Sequence, residues 1–291
     1  MDEGVAVLNG ITHRDWLQPE PTSVRWVDAD SSLEVLSRGG FTGGVRPDNV
    51  LTTRYSRYPA LADLFRALRL VDRQGVGVPR MYQTMIAEGH RIPLIELLPG
   101  PRVRTTLTGE PLLPVLAGLL AGIEPAVRRR DVRVAVLVDA LLRHPYVTPA
   151  TAARALQTSP ARAELALDAA ASCMVGRRPL TARLGDAWIL DPQLASTAVS
   201  GALGEIPRSG ELLWFRRRSA GTARAVATAW LAEHAKVTSG EVARMTGMAQ
   251  PNVSTALSAA VGQSGGLARG EGKGRNAHFV PNTSVTPDAS S

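Results

Sequence analysis

Residues 237–257 read VTSGEVARMTGMAQPNVSTAL, and residues 147–167 read VTPATAARALQTSPARAELAL. At a fixed offset of 90 residues, Val147 falls on Val237, Thr148 on Thr238, Ala153 on Ala243, Arg154 on Arg244 and Leu167 on Leu257 without a gap. Upstream, Leu141 and His144 fall on Leu231 and His234. A gapless repeat of helix, tight turn and helix predicts two small modules in the second half of the chain.

The later copy carries the sharper signals. Residues 223–234 have helical spacing. Thr238 is placed to N-cap the next helix, with Glu241 three residues on completing a capping box. Gly247 supplies the turn that a helix-turn-helix requires. The third helix opens at Ala249-Gln250-Pro251-Asn252, with Val253, Leu257 and Val261 toward the core and Gln250, Asn252, Ser254 and Thr255 free to hydrogen-bond at its N-terminal end. Such an end enters a major groove, where Gln and Asn pair with adenine and Ser or Thr reach bases or phosphates. Residues 265–280 read as two strands about a basic tip holding Arg269, Lys273 and Arg275. The segment resembles the winged helix-turn-helix of bacterial transcription regulators. That resemblance implies double-stranded DNA as partner, met by Thr238, Gln250, Asn252, Ser254, Thr255, Arg269, Lys273 and Arg275.

The earlier copy has the same outline. Helical spacing runs over 132–142, Thr148-Pro149 and Ser159-Pro160 start two further helices, and 176–190 reads as strand, turn and strand. Its third helix offers Arg162 beside Glu164 and Asp168, carboxylates that repel phosphate, so this copy is expected to be structural or a partner surface. For both copies, use of the module for protein contacts stays open.

The first third of the chain is of another kind. Two apolar stretches, 24–27 and 33–36, suggest a hairpin, and Gly39, Gly40, Gly43 and Gly44 crowd one loop. Residues 59–70 form an amphipathic helix with Leu61, Leu64, Phe65 and Leu68 on one face. Gly75 and Gly77 then precede a helix over 80–88, and glycines before a helix N-terminus can cradle phosphate. The last strand is expected within 99–108.

The strings NGITHRDW, SRGGFTGGVRPDNVLT and YSRYPALADLFRALRLVDRQGVGVPRM, within the first 105 residues, resemble the histidine-kinase-like (GHKL) ATPase-type domain of Schlafen AlbA-type, RecG-like bacterial regulators. The resemblance implies ATP with Mg2+ as cofactor. Asn9 would ligate the metal, Gly39, Gly40, Gly75 and Gly77 would line the nucleotide, and His13-Arg14-Asp15 would close the motif. The carboxylate expected four residues before the Asn is Val5 here, which cannot act as general base. No hydrolysis and no catalytic residue are therefore expected. A scaffold kept for packing or dimerisation, without nucleotide, stays open. So does loss of the AlbA-type domain that precedes this one in the family, since the chain opens inside what resembles the family's first helix.

Composition fits this organisation. The 291 residues carry 33 Lys and Arg against 26 Asp and Glu, a formal net charge of +7 that favours a polyanionic partner. Only Lys236 and Lys273 are lysines, so the basicity is nearly all arginine and partly reflects coding bias. The single cysteine, Cys173, permits no intrachain disulfide and suits a reducing cytoplasm. Met1-Asp2-Glu3-Gly4 carries no basic run, so no signal peptide is expected, and the most apolar run, 111–127, is broken by Pro114 and Glu124 short of the ~20 residues that span a bilayer.

The expected fold class is α+β and multidomain. A GHKL-like α/β sandwich occupies 1–109, a linker helix 110–130, one winged helix 131–191, a linker 192–219, a second winged helix 220–281 and a disordered tail 282–291. The expected function is that of a cytoplasmic DNA-binding transcriptional regulator, with a second copy of the chain as a further partner. Two rivals stand beside it: an ATP-dependent enzyme or nucleotide-gated switch, and an adaptor that uses both winged helices for protein contacts.

Overall fold

The computed structural model describes residues 3–70, 75–109, 113–199, 219–262, 267–270 and 277–282. The fold is α+β, with helices set among small antiparallel sheets. Its first layer is a four-stranded sheet of β1 (Ser23–Val27), β2 (Ser32–Arg38), β3 (Leu94–Leu98) and β4 (Arg102–Thr108), in the order β1-β2-β4-β3. The expected hairpin is present. β3 is an addition to the sequence reading, because its run Leu94-Ile95-Glu96-Leu97-Leu98 lacks the alternation that marks a half-buried strand.

Period-two geometry divides the sheet into two faces. Arg25, Glu34, Arg104 and Glu96 link all four strands on the outer face, with contacts of 2.6 Å for Arg25–Glu34, 3.7 Å for Glu34–Arg104 and 2.8 Å for Arg104–Glu96. Leu33, Val35, Ile95 and Leu107 point inward and are buried. Helix α1 (Glu3–His13) packs on that inner face and α3 (Gly77–Ala87) packs against α1, with α2 (Pro59–Ala67) between them in sequence. α1 approaches closely because residue 10 is glycine: a Cβ there would stand 2.8 Å from both Ser37 Oγ and Val35 Cγ1. Ser37 Oγ instead donates to the Gly10 carbonyl at 3.0 Å. α3 opens at Gly77 rather than near Arg80, so Gly77 begins the helix and Gly75 sits in the turn before it.

The core runs from this sheet through Met81, Met85 and Ile86 into the next segment without a break. The apolar stretch expected as one linker helix is α4 (Pro114–Ala121) followed by the two-residue strand β5 (Ile123–Glu124), since Gly122 and Pro125 stop the helix. The arginine run forms a 3-10 turn, Ala126–Arg130, closed by charge pairing. Arg128 and Arg133 both reach Asp131, and Arg129 reaches Glu124. Burial alone would raise the Asp131 carboxyl. Hydrogen bonds from Arg133 and Arg128, with the Arg133 charge, outweigh it and hold the group below the usual carboxylate range. Asp131 also N-caps α5 by accepting from the Arg133 amide.

The first helical unit comprises α5 (Val132–Arg143), α6 (Pro149–Ala155) and α7 (Pro160–Ala171). Thr148 caps α6 in a capping box completed by Thr151. The single hairpin expected over 176–190 is two. β6 (Met174–Val175) and β7 (Arg178–Pro179) join β5, whereas β8 (Thr181–Leu184) pairs with β9 (Ala187–Leu190). α8 (Pro192–Val199) follows where a linker was expected and adds Leu194 and Ala195 to the core.

The second unit repeats the plan with α9 (Ala220–Leu231), α10 (Ser239–Thr246), α11 (Gln250–Ala260) and the pair β10 (Leu267–Arg269) and β11 (Phe279–Pro281). The 90-residue offset survives in detail. Thr238 caps α10 with Glu241, as Thr148 caps α6, and Gly247 ends α10 at φ 66°. Val147 bridges to Trp188 as Val237 bridges to Phe279.

The two units meet through the first unit's hairpin. Trp188 and Leu190 belong to the first core, while Leu184, Ala187 and Ile189 join the second with Tyr146. All four residues of β9 are buried, the signature of a strand covered on both faces. Polar contacts seal the seam: Tyr146 Oη donates to the Ala229 carbonyl at 3.0 Å, and His234 Nε2 meets Asp186 Oδ1 at 2.9 Å. The His234 ring stacks on Trp230 with centroids 3.8 Å apart. No helix among the described residues is long and apolar enough to cross a membrane.

Candidate functional site

A cavity of about 880 Å3 opens between α1, α2, α3 and the inner face of the sheet. Asn9, Gly39, Gly40, Gly75 and Gly77, which the sequence separates by as many as 68 positions, all lie on its wall. α1 brings Asn9, the β2 exit brings Gly39 and Gly40, and the turn into α3 brings Gly75 and Gly77. Val5, Leu8, Phe41, Val45, Val50 and Ile95 supply apolar lining.

Asp15 holds the first glycine loop in place. Its amide donates to the Arg38 carbonyl at 2.7 Å, its carboxylate accepts from the Leu17 amide at 3.0 Å and Tyr58 Oη at 3.1 Å, and Arg57 stands 3.6 Å away. The Leu17 amide above all, with Tyr58 and Arg57, holds the Asp15 carboxyl below the usual carboxylate range. Arg57 also donates to the Gly40 carbonyl. Asp15 therefore acts on the loop, whereas His13 lines the cavity.

The two glycines ahead of α3 differ in what they permit. Gly77 faces Asn9, whose Oδ1 would lie 3.4 Å from an added Cβ, an ordinary contact. Gly75, at φ +70°, lies beneath Arg54, whose Cδ would be 2.2 Å from a Cβ. Any side chain at 75 would evict Arg54 from its present course.

Sequence reasoning passed over the charged lining. Arg54, Arg66, Arg69 and Arg80 all line the cavity, and none of the described lining residues is Asp or Glu. These arginines come from separate loops and helix ends, so no local motif announces them. A cavity of this size with an apolar floor and guanidinium groups suits a nucleotide with its phosphates. Magnesium fits less well. Mg2+ is held through one or two carboxylates together with substrate phosphates, and Asn9 alone offers an amide oxygen. Among the described residues no group of three or more His, Cys, Asp or Glu could hold a metal ion. ATP thus fits the wall, whereas an Mg2+ held by the described side chains does not.

The second candidate surface is the N-terminal end of α11. Gln250, Asn252 and Thr255 are exposed and Ser254 is half-buried, while Val253 and Leu257 are fully buried. Thr255 Oγ1 donates to the Pro251 carbonyl at 3.0 Å. Thr238 is committed locally: its hydroxyl donates to Glu241 Oε2 at 2.9 Å and accepts from the Glu241 amide at 3.1 Å. Arg269 is exposed on β10 and donates to Ser258 Oγ at 2.9 Å. Lys273 and Arg275 lie outside the described residues. α11 itself carries no charged side chain.

The matching end of α7 in the first unit is also exposed, at Pro160, Arg162, Glu164 and Leu165, but the elements on either side of it are packed. Its turn, at Gln157, is bonded to Leu51 and Thr52 of the N-terminal layer, and β8–β9 is buried against the second unit.

Residues 29–107 match the family described as "Putative ATP-dependent DNA helicase recG C-terminal". That match begins after α1, so Asn9 and Asp15 stand outside it. Residues 113–198 match a family of unknown function, DUF5635, which spans α4, the first helical unit and nearly all of α8. The crystal structure of the DIP2311 protein from Corynebacterium diphtheriae is similar, with 35% identity and a TM-score of 0.83 over 96% of this chain and 49% of that one. The chain therefore spans about half the length of that relative. No curated protein matches the chain.

Proposed function

We propose that the chain is a DNA-binding transcriptional regulator. In this reading a GHKL-like domain over 1–109 binds nucleotide without hydrolysing it, and two winged helices follow, of which the second reads DNA. One observation carries the choice of reader: the exposed N-terminal end of α11 presents Gln250, Asn252 and Thr255, while the equally exposed end of α7 presents Arg162 beside Glu164 and is flanked by a turn and a hairpin consumed by packing. The name of the family matched at 29–107 supports both a nucleotide and a DNA partner. The absence of hydrolysis rests on Val5, which lines the cavity where a general base is needed.

A mobility-shift assay with genomic fragments across a salt series tests the DNA reading. Phosphate contacts make log affinity fall linearly with log salt, roughly one unit of slope per contact. A flat, weak response would instead favour the adaptor reading. A nucleotide-gated switch is the second reading, favoured by the Gln157 contacts, which join Leu51 and Thr52, neighbours of the cavity-lining Val50 and Thr53, to the first helical unit.

A further inference from the structure

Arg69 ends α2 in a backbone conformation that an arginine rarely takes. Its φ is +57°, the Leu70 amide donates to the Phe65 carbonyl at 2.9 Å, and its own amide donates to the Arg66 carbonyl at 3.0 Å. This is the helix-ending motif in which the left-handed position is normally glycine. Strain of this kind persists where a side chain is needed for something other than the turn. Arg69 is among the residues that line the cavity. Across the sequence, Gly75 keeps its own α-carbon bare at the point where the Arg54 stem passes. The guanidinium groups of Arg54 and Arg69 have no ion-pair or hydrogen-bond partner among the described residues. Ser56 Oγ, also on the wall, is buried without a hydrogen-bond partner.

We infer that Arg54 and Arg69 are the phosphate-binding groups of the cavity, and that they take the place of a divalent cation, so that a nucleoside polyphosphate binds without Mg2+. The inference rests on the nucleotide reading proposed above and departs from its metal requirement. Guanidinium forks satisfy phosphate oxygens directly, two hydrogen bonds at a time, and remain charged at any working pH. The described lining residues offer no carboxylate to hold Mg2+, and none to repel the phosphates. Phe41, Val45 and Ile95 leave an apolar region for the flat base.

The test uses the full chain and ATP, with affinity measured by calorimetry in EDTA and in excess Mg2+. The affinity is expected to agree within about threefold between the two conditions and to fall from ATP to ADP to adenosine. Arg54→Ala and Arg69→Gly are each expected to weaken ATP about tenfold, the loss of one charge-assisted contact. Arg69→Gly should do so while melting at or above the parent temperature, because glycine relieves the left-handed strain. A residue that served only the fold would not show that opposition. Binding that appears only with Mg2+, or undiminished binding by both arginine variants, overturns the inference and leaves the nucleotide reading standing. No ATP binding in either condition overturns both.

Discussion

Gln157 and Leu51 are joined across 106 positions of sequence: the Gln157 side-chain carbonyl accepts the Leu51 amide at 2.7 Å. The Gln157 backbone carbonyl accepts from Thr52 Oγ1, also at 2.7 Å, and its side-chain amide reaches Tyr82 Oη on α3 at 3.4 Å. Gln157 takes φ 52° to do this. Gln157→Ala is therefore expected to cost about 1–2 kcal/mol in denaturant unfolding, since it strands a half-buried amide. Faster hydrogen exchange at Leu51 should accompany the loss. An unchanged unfolding midpoint would show that the contact contributes nothing.

The cavity should not turn over ATP. With Val5 on its wall and no described carboxylate there, phosphate release is expected at the blank rate with or without Mg2+. Steady magnesium-dependent release that disappears in Asn9→Ala would reverse this view of α1.

The glycines at 75 and 77 should separate in a binding assay. Gly75→Ala forces Arg54 aside and strains a left-handed backbone, so nucleotide binding should fall well below that of Gly77→Ala, whose Cβ meets only ordinary contacts. Gly77→Val, with branches added beside Asn9, should approach the Gly75 effect. Equal, undiminished binding by folded forms of all three variants would place the ligand elsewhere.

For DNA, Asn252→Ala should relax sequence preference and cost about 1–3 kcal/mol on the preferred site. Arg269→Ala should weaken all sequences alike and lower the salt slope by roughly one unit. Arg162→Ala, in the first unit, should matter less than either. If Arg162→Ala is the damaging change, the two units have exchanged roles; if none of the three alters affinity, the chain does not bind DNA through these surfaces.

Alkaline pH should reach the seam between the units through Tyr146. Burial, with Glu233 and Asp186 nearby, pushes its phenol up to about 12. The unfolded phenol titrates near ~10, so the folded state holds the proton longer. Its contribution to stability is complete below pH ~10 and is lost as pH rises through the folded value, at about 1.4 kcal/mol per unit of displacement. Ultraviolet phenolate titration of the protein against Tyr146→Phe should remove the highest transition. Loss of a transition near pH 10 instead would mean that the phenol is not held by the seam.

Local signals were the legible ones. Thr238 with Glu241, Thr148-Pro149 and Gly247 declare their roles through neighbours three or four residues away, and the helices stand where the caps put them. Asn9, Gly39, Gly40, Gly75 and Gly77, which line one cavity, were linked by a family pattern rather than by their spacing. What stayed hidden depends on partners distant in sequence. Ala187-Trp188-Ile189-Leu190 suits half of a wing, and only the second unit's presence explains why all four are apolar. Arg54 and Arg69 acquire meaning from Gly75 and from a backbone angle, neither of which a composition window registers.

Trp188 and Ile189 are adjacent, yet they face different cores. Opening either core would bare a wall of the other, so β9 works as a shared rivet rather than as the border of a module. A chain cut behind α8 would carry Ile189, Leu184 and Tyr146 into water as an adhesive face. The half that holds the cavity and the half that holds α11 are in that sense a single heritable object, which recombination could not separate at this seam without leaving both pieces prone to aggregate.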